Sequence, residues 1–138
     1  MSIFLETLSI KTSKREEIID ITEKIQNILS KYKKTKIEKG ICRIFVHHTT
    51  AGITINENAD PNVKTDLLNI LRDLIPKKES YHHQEGNSDA HMKSSLMGSS
   101  KEVIISNHEL VLGTWQGIML CEFDGPRTRK ITIQIQSI

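Results

Sequence analysis

The stretch KITIQIQSI, residues 130–138, alternates between polar and apolar side chains over most of its length. Ile131, Ile133 and Ile135 fall on one face if it is a β-strand, because successive strand side chains point to opposite sides. The pattern therefore predicts a strand with one face on the core. Similar extended runs precede it, namely IFLETLSIKT (3–12), ICRIFVHH (41–48), GITINE (52–57), EVIIS (102–106), LVLG (110–113) and IMLCEF (118–123).

A long amphipathic helix is predicted after the first strand. Ser13 and Glu16 suit a capping box at its start. The apolar residues behind them recur at helical spacing; they are Ile18, Ile21, Ile25, Ile28, Leu29 and Tyr32.

Two further helices are predicted nearer the middle of the chain. Asp60 suits an N-cap and Pro61 the first helical position, followed by apolar residues at helical spacing; Pro76 should end this helix. A short third helix is predicted with Ser88 as its cap and Gly98 as its end. The order βα, ββα and then strands favours the α+β class, with a largely antiparallel sheet or sandwich and the helices packed on one side.

Length, composition and charge limit the class of protein. With 138 residues, 37% of them hydrophobic, residues 1–138 are expected to form a single domain. The start has no signal-peptide pattern and no run reaches the roughly 20 apolar residues of a membrane helix, so we expect a cytoplasmic protein without membrane contact. A net charge of +2 does not indicate nucleic acid, and the basic run KYKKTKIEK (31–39) suits a solvated helix face. Cys42 and Cys121 lie in apolar runs, which predicts buried reduced thiols.

The segment YHHQEGNSDAHMKSSLMGSS, residues 81–100, begins as a long polar loop, which is typical of function when it is not disordered. His83 and His91 bracket the loop, and His48 ends a strand at the rim of the core. Three neutral imidazoles brought together by folding could bind a divalent metal and leave one position open. His91 falls in the first turn of the third helix, where the helix dipole favours neutral imidazole, and Ser95 shares its face. The alternative is that the histidines only hydrogen-bond at the surface.

Other polar clusters allow both functional and structural interpretations. Thr49, Thr50, Asn56 and Glu57 surround a strand turn and the start of the second helix, where Asp60 could simply be the N-cap. Trp115, the sole tryptophan, lies between glycines in LGTWQG, where it could line a pocket or fill a subunit interface. Arg127 in FDGPRTR could hold an anion such as phosphate or pair with a surface carboxylate.

Four motifs together carry a family resemblance: HTTAGITINENADP, HHQEGNSDAHMKSSLMGSS, LGTWQGI and EFDGPRTRKI. From about residue 40 onward their order and spacing resemble the YjbQ-like family. The resemblance implies an α+β fold, a homotrimer and a histidine-lined, metal-associated site. It also implies the thiamine-phosphate-synthase-like activity ascribed to some members.

The resemblance also implies roles for particular residues. The implied metal ligands are His48, His83 and His91, and zinc is the expected ion at neutral imidazoles. The residues expected to act in catalysis are His48, Glu57 and Arg127, the last of these from its place in FDGPRTR and not from the resemblance. The expected substrate-binding residues are Thr50, Asn56, Asn87, Ser95, Trp115 and Gln116. Whether Glu85 or Asp89 reaches the site stays open at this point.

Two main hypotheses for function follow. The first is a transferase that joins a pyrimidine pyrophosphate to a thiazole phosphate, in which Mg²⁺ could be held by Glu57 and Asp60. The second is a non-catalytic trimer that binds a small phosphorylated or anionic metabolite. A metal-dependent hydrolase is a third possibility, whereas no Ser-His-Asp arrangement is recognisable in the sequence.

Overall fold

A computed structural model describes residues 1–32 and 37–138 and confirms the α+β class. The strands are β1 (Ile3–Lys11), β2 (Glu17–Asp20), β3 (Gly40–Val46), β4 (Ala51–Glu57), β5 (Ser100–Ser106), β6 (Glu109–Leu110), β7 (Gln116–Glu122) and β8 (Thr128–Ser137). The helices are α1 (Thr22–Ser30), α2 (Pro61–Leu74) and α3 (Ser88–Met97). The centre of the predicted basic run lies outside the described residues.

The strands form two antiparallel sheets. The larger has the order β1-β8-β3-β5-β6 and the smaller the order β2-β7-β4. β8 lies between β1 and β3, and its register places Ile133 opposite Glu6 on one side and Ile44 on the other. The predicted alternation of β8 is confirmed, because Ile131, Ile133 and Ile135 are all buried.

The main core lies between the inner faces of the two sheets. α1 contributes Ile25, Ile28 and Leu29 to this cluster, so this helix belongs to the main core. α2 and α3 instead cover the opposite face of the smaller sheet, where Cys121 and Phe123 are buried. The helices thus lie on two sides of the smaller sheet and not on one side as predicted.

The long first helix was predicted wrongly. Residues Glu17–Asp20 form β2, which pairs with β7, and the helix begins only at Thr22. The start signal is Asp20, whose carboxylate accepts hydrogen bonds from the Thr22 backbone N–H at 3.0 Å and from its hydroxyl at 2.6 Å. Ser13 donates its backbone N–H to Glu17, and no capping box forms with Glu16. Pairing at a sheet edge therefore overrides the helical spacing.

The other helix boundaries follow the sequence closely. Asp60 caps α2 by accepting a 2.9 Å hydrogen bond from Asn62, and the helix ends two residues before Pro76. α3 contains Ser88 as its first residue, so Asn87 and not Ser88 occupies the N-cap position, without a side-chain cap bond. In the run LVLG only Leu110 belongs to a strand.

Both cysteines are free and buried, as predicted. No helix within residues 1–32 and 37–138 is long and apolar enough to cross a membrane.

A buried ion pair joins β7 to β8. The Arg129 side chain is 1% exposed and that of Glu122 is fully buried. The Arg129 Nε–H donates to both Glu122 carboxylate oxygens at 2.9 and 3.0 Å, and its Nη2 donates to Thr50 Oγ1 at 2.9 Å. Thr12 donates its hydroxyl to the same carboxylate at 2.7 Å. Both charged groups thus have hydrogen-bond partners beyond each other, as buried charges require.

Glu122→Gln should destabilise the fold by about 3–5 kcal/mol, because it leaves the buried Arg129 cation without a counter-charge. Glu102→Gln is the matched control, since Glu102 makes an exposed ion pair with Arg43, and such pairs contribute about 0–1 kcal/mol. Urea denaturation of both variants measures the difference. Equal losses of free energy of unfolding would contradict the assignment of the buried pair.

Candidate functional site

The position of α3 is set by a close approach to β4. Ser94 donates its hydroxyl to the Ala51 carbonyl at 2.7 Å, and the Ile53 N–H donates to the Gly98 carbonyl at 3.0 Å. Gly52 makes the approach possible, because a side chain there would begin 2.8 Å from Met97 Cβ. A Cβ cannot be accommodated at that distance without a shift of the helix.

A buried ionic cluster holds the inner side of α3. The Lys93 side chain is 1% exposed, and its Nζ lies 3.0 Å from Glu16 and 3.1 Å from Asp89. Arg15 contacts Asp89 at 3.1 Å, and Arg72 contacts Glu16 at 2.9 Å. Burial by itself raises the pKa of Asp89, but the hydrogen bonds from Arg15 and Lys93 outweigh it and hold that pKa below its ordinary value. Asp89 is therefore an ionised structural group that faces the interior.

The opposite side of α3 borders an open pocket of about 490 Å³, here named the α3 pocket. Its lining residues are Thr49, His91, Ser94, Ser95, Gly98 and Ser99. Lys101 donates its ammonium to the Met97 carbonyl at 2.9 Å, and its Nζ lies 3.3 Å from the point that a Gly98 side chain would occupy. Because Gly98 lines the pocket and has no side chain, no atom there stands between the pocket and the Lys101 ammonium.

A second, more apolar pocket lies beside His83. It has a volume of about 630 Å³ and is here named the apolar pocket; its lining residues are Leu74, Ile75, Ser80, Tyr81, His82, His83, Ser88 and Met92. His83 and His91 connect the two pockets, because their rings stack edge to face with centroids 5.1 Å apart. The structure therefore brings two of the three predicted metal ligands together.

His48 has a fixed role as a hydrogen-bond acceptor. Its Nε2 accepts a 2.8 Å hydrogen bond from the Lys130 backbone N–H, so the proton of the neutral ring lies on Nδ1. Burial and the Arg129 cation lower the pKa of His48 below its ordinary value. His48 therefore offers a neutral Nδ1–H donor and has no free ring lone pair.

This arrangement bears on the metal predicted from the resemblance. In the described part of the chain, no group of three or more His, Cys, Asp or Glu side chains is placed to hold a metal ion. His83 and His91 could supply two nitrogens, but His48 would first have to give up its bond to Lys130. The metal centre stays a prediction.

Several predicted residues lie far from these pockets. Glu57 follows Ala51 by six residues along β4, which corresponds to about 20 Å at 3.3 Å per residue. Gln116 pairs with Glu57 across β4 and β7, and Trp115 precedes it in a turn. Asn56 accepts a 2.7 Å hydrogen bond from the Glu57 N–H. These residues form a second polar group, at the opposite end of the strand from the histidines.

Arg127, Asn87 and Asp60 have structural partners. Arg127 pairs with Asp124 at 2.9 Å, which is the surface-carboxylate alternative. Asn87 donates its side-chain N–H to the same carboxylate at 2.8 Å, while its buried Oδ1 has no partner within the described residues. Asp60 acts as the N-cap of α2.

The sequence interpretation missed Lys101 and the cluster around Lys93. Lys101 is the second residue of β5 and belongs to no recognisable motif, so only the fold shows that its ammonium reaches the end of α3. Lys93 and Asp89 are spaced i and i+4 on the helix, which is a detectable ion-pair signal. That spacing does not reveal burial, because most such pairs are solvated.

A family model described as "UPF0047 protein YjbQ-like" matches residues 6–138. The chain belongs to the YjbQ-like family. The resemblance seen in the four motifs is thereby confirmed, and the match extends to the first strand.

Similar YjbQ-like proteins occur in several organisms. The UPF0047 protein YugU of Bacillus subtilis is 54% identical over 132 residues, which cover 95% of this chain and 98% of that protein. A UPF0047 protein of Methanocaldococcus jannaschii is 56% identical over 126 residues, which cover 91% of this chain and 89% of that protein. A crystal structure of a YjbQ/UPF0047-family protein from Clostridium acetobutylicum matches with a TM-score of 0.89 and 50% identity, covering 95% of this chain and 99% of that chain.

His48 of this YjbQ-like protein should be neutral, protonated on Nδ1, and should titrate below the usual value of about 6.5. Because its folded pKa is below its unfolded pKa, the unfolded state takes up the proton first. Its contribution to stability is therefore present above about pH 6.5 and is lost as the pH falls through that value towards the folded pKa. ¹⁵N NMR of the imidazoles measures the tautomer and the midpoint. If added Zn²⁺ instead shifts the Nε2 signals of His48, His83 and His91 together, the three-histidine centre is the better description.

Proposed function

We propose that the protein binds a small phosphorylated metabolite in the α3 pocket. The observation that carries the proposal is the Lys101 ammonium, which stands beside the pocket at Gly98 and has one contact to the Met97 carbonyl. An ammonium has three donors, so two remain for a ligand. An anion at this place would also meet the imidazole of His91 and the hydroxyls of the pocket wall.

The hydroxyls of the pocket divide into two kinds. Ser94 donates to the Ala51 carbonyl at 2.7 Å and Ser95 to the His91 carbonyl at 2.9 Å, so neither proton is free for a ligand. Thr49 and Ser99 have no side-chain partner in the described residues. Together with Lys101, they are the donors that a phosphate would use, and charge-assisted hydrogen bonds of this kind are among the strongest in proteins.

Covalent catalysis by the protein has no support in these residues. Burial raises the pKa of the Cys42 and Cys121 thiols to about 12, so neither is a thiolate at neutral pH. The hydroxyls of Ser94 and Ser95 donate to backbone carbonyls and not to a histidine that could activate them. These four residues therefore favour a reaction in which the nucleophile belongs to a substrate.

The thiamine-phosphate-synthase-like transfer is the second candidate, and the adjoining pockets favour it. In that reaction the thiazole nitrogen forms a bond to the pyrimidine methylene carbon, while the carbon–oxygen bond to pyrophosphate breaks and its electron pair leaves with pyrophosphate. The α3 pocket would bind the leaving phosphates and the apolar pocket a ring. The protein would contribute donors where negative charge develops.

The predicted hydrolase activity, homotrimer and cytoplasmic location do not distinguish phosphate binding from the transfer reaction. A metal-dependent hydrolase would need about three protein ligands and an open position for water. Of the three predicted histidine ligands, only His83 and His91 have neighbouring rings in the described part of the chain. The homotrimer implied by the resemblance and the expected cytoplasmic location both suit a protein that acts on a small metabolite.

Lys101→Met should weaken binding of pyrophosphate by at least about 10-fold, because it removes a charge-assisted contact of about 1.5–3 kcal/mol. His91→Ala should weaken it as well. Isothermal titration calorimetry measures both variants, and Lys24→Met on the exposed side of α1 is the matched control. Undiminished binding by Lys101→Met would remove the α3 pocket as the anion site.

Purified protein supplied with Mg²⁺ and both precursors should form thiamine phosphate slowly, and Lys101→Met should reduce the rate by about 100-fold, as is typical when one transition-state donor is lost. Chromatographic detection of the product over time measures this rate. If no product forms although pyrophosphate binds the α3 pocket, the protein is a non-catalytic binder.

A further inference from the structure

His91 differs from other histidines of the chain in the surroundings of its ring. It is the histidine that lines the α3 pocket, and neither of its ring nitrogens has a hydrogen-bond partner among the described residues. His48, in contrast, accepts a hydrogen bond from Lys130, and His47 pairs with Thr132. The lone pair of the neutral His91 imidazole can therefore reach a molecule in the pocket.

The His91 ring is held in position on two sides. Its backbone N–H donates to the Asn87 carbonyl at 3.3 Å, which fixes the residue in the N-terminal part of α3. The His83 ring packs edge to face against the imidazole, with 5.1 Å between the ring centroids. A catalytic group is most effective when its geometry is set in advance, and this ring meets that condition.

The separation of His91 from the Lys101 ammonium limits the length of the ligand. His91 and Gly98 are seven residues apart on one face of α3, which corresponds to about 10 Å along the helix. The Lys101 Nζ lies 3.3 Å from the point that a Gly98 side chain would occupy. An attacking nitrogen needs about 3 Å to its target and an ammonium about 3 Å to the oxygen that it binds, so about 4 Å separates these two ligand atoms.

A diphosphate has this length, whereas a single phosphate does not. The oxygens of one phosphate lie a single bond from phosphorus, which is too short to connect His91 with Lys101. In a diphosphate, a bridging oxygen and a second phosphorus separate the near phosphorus from the far oxygens. The near phosphoryl group would thus lie at His91 and the far one at Lys101. Thr49 and Ser99 add hydroxyl donors from the pocket wall.

We propose that His91 takes a phosphoryl group from a diphosphate in the α3 pocket, and that the protein hydrolyses phosphoanhydrides through this intermediate. The reaction rests on the proposed phosphate binding and goes beyond it, because a bond to phosphorus is broken.

The reaction has two displacements at phosphorus. In the first, a ring nitrogen of neutral His91 forms a bond to the near phosphorus. The bond from this phosphorus to the bridging oxygen breaks, its electron pair leaves with the far phosphate, and the proton on the other ring nitrogen passes to solvent. In the second, water attacks the phosphorus and loses a proton. The nitrogen–phosphorus bond breaks, its electron pair returns to the ring, and the ring regains its proton as the second phosphate departs.

The groups of the pocket suit the first displacement. Negative charge develops on the bridging oxygen, and the Lys101 ammonium binds the phosphate that takes this charge. Attacking and leaving atoms lie roughly in line through phosphorus, which agrees with His91 and Lys101 at opposite ends of the pocket. An imidazole needs no separate base, unlike a hydroxyl. The Ser94 and Ser95 hydroxyls donate to backbone carbonyls and have no such base.

Incubation with ³²P-labelled pyrophosphate, with Mg²⁺ as its counter-ion, tests the proposal. The full chain is first dialysed against a chelator, so that no transition metal occupies the His91 ring. The protein should release phosphate and should carry label that is stable in alkali and lost in acid, as is a phosphorus–nitrogen bond. Mass spectrometry of its peptides should locate the phosphoryl group on His91.

His91→Gln should abolish the label and reduce phosphate release by about 1,000-fold or more, because the nucleophile is lost. Its side chain still donates a hydrogen bond, so calorimetry should show that pyrophosphate binds. Lys101→Met should slow phosphate release by about 100-fold. His47→Gln is the matched control, since His47 is exposed and contacts Thr132 of β8. It should leave the label and the release unchanged.

A diphosphate analogue made chiral at its terminal phosphorus decides the matter if the intermediate does not accumulate. Two displacements give retention of configuration, as expected for a reaction through His91. Inversion would show direct attack by water and would overturn the proposal, as would label that persists in His91→Gln. Neither label nor phosphate release in a protein that binds pyrophosphate would overturn the reaction and leave the phosphate site in place. No pyrophosphate binding at all would overturn both.

Discussion

The Lys93 ammonium between the carboxylates of Glu16 and Asp89 is the interaction on which the candidate site depends. A buried charge is tolerated only where its partners are in place, since an unpaired ion in the interior costs several kcal/mol. α3 must therefore keep this face towards the β1–β2 connection. The opposite face, with His91, is directed to the α3 pocket as a result. Gly52 then determines how near β4 the helix lies.

Much of the fold could be predicted from periodicity and capping, because these signals are local. The alternation around Ile133 and the Asp60 cap of α2 correspond to the observed elements. β2 could not be predicted in the same way, because its spacing also fits a helix and its strand state depends on pairing with β7. β2 and β7 are far apart in the sequence, so local sequence patterns do not indicate that they pair. A propensity argument fails where a long-range hydrogen-bond ladder decides the conformation.

The structure brings some of the predicted site residues together and separates others. Thr50 and Glu57 are seven positions apart and look like one cluster in the sequence. Strand β4 lies between them, and the two ends of this strand are about 20 Å apart. His83 and His91 bracket the polar loop in the sequence, and the fold brings their rings to a centroid distance of 5.1 Å. The tautomer of His48 could not be predicted from the sequence, because it depends on a hydrogen bond from one backbone N–H of β8.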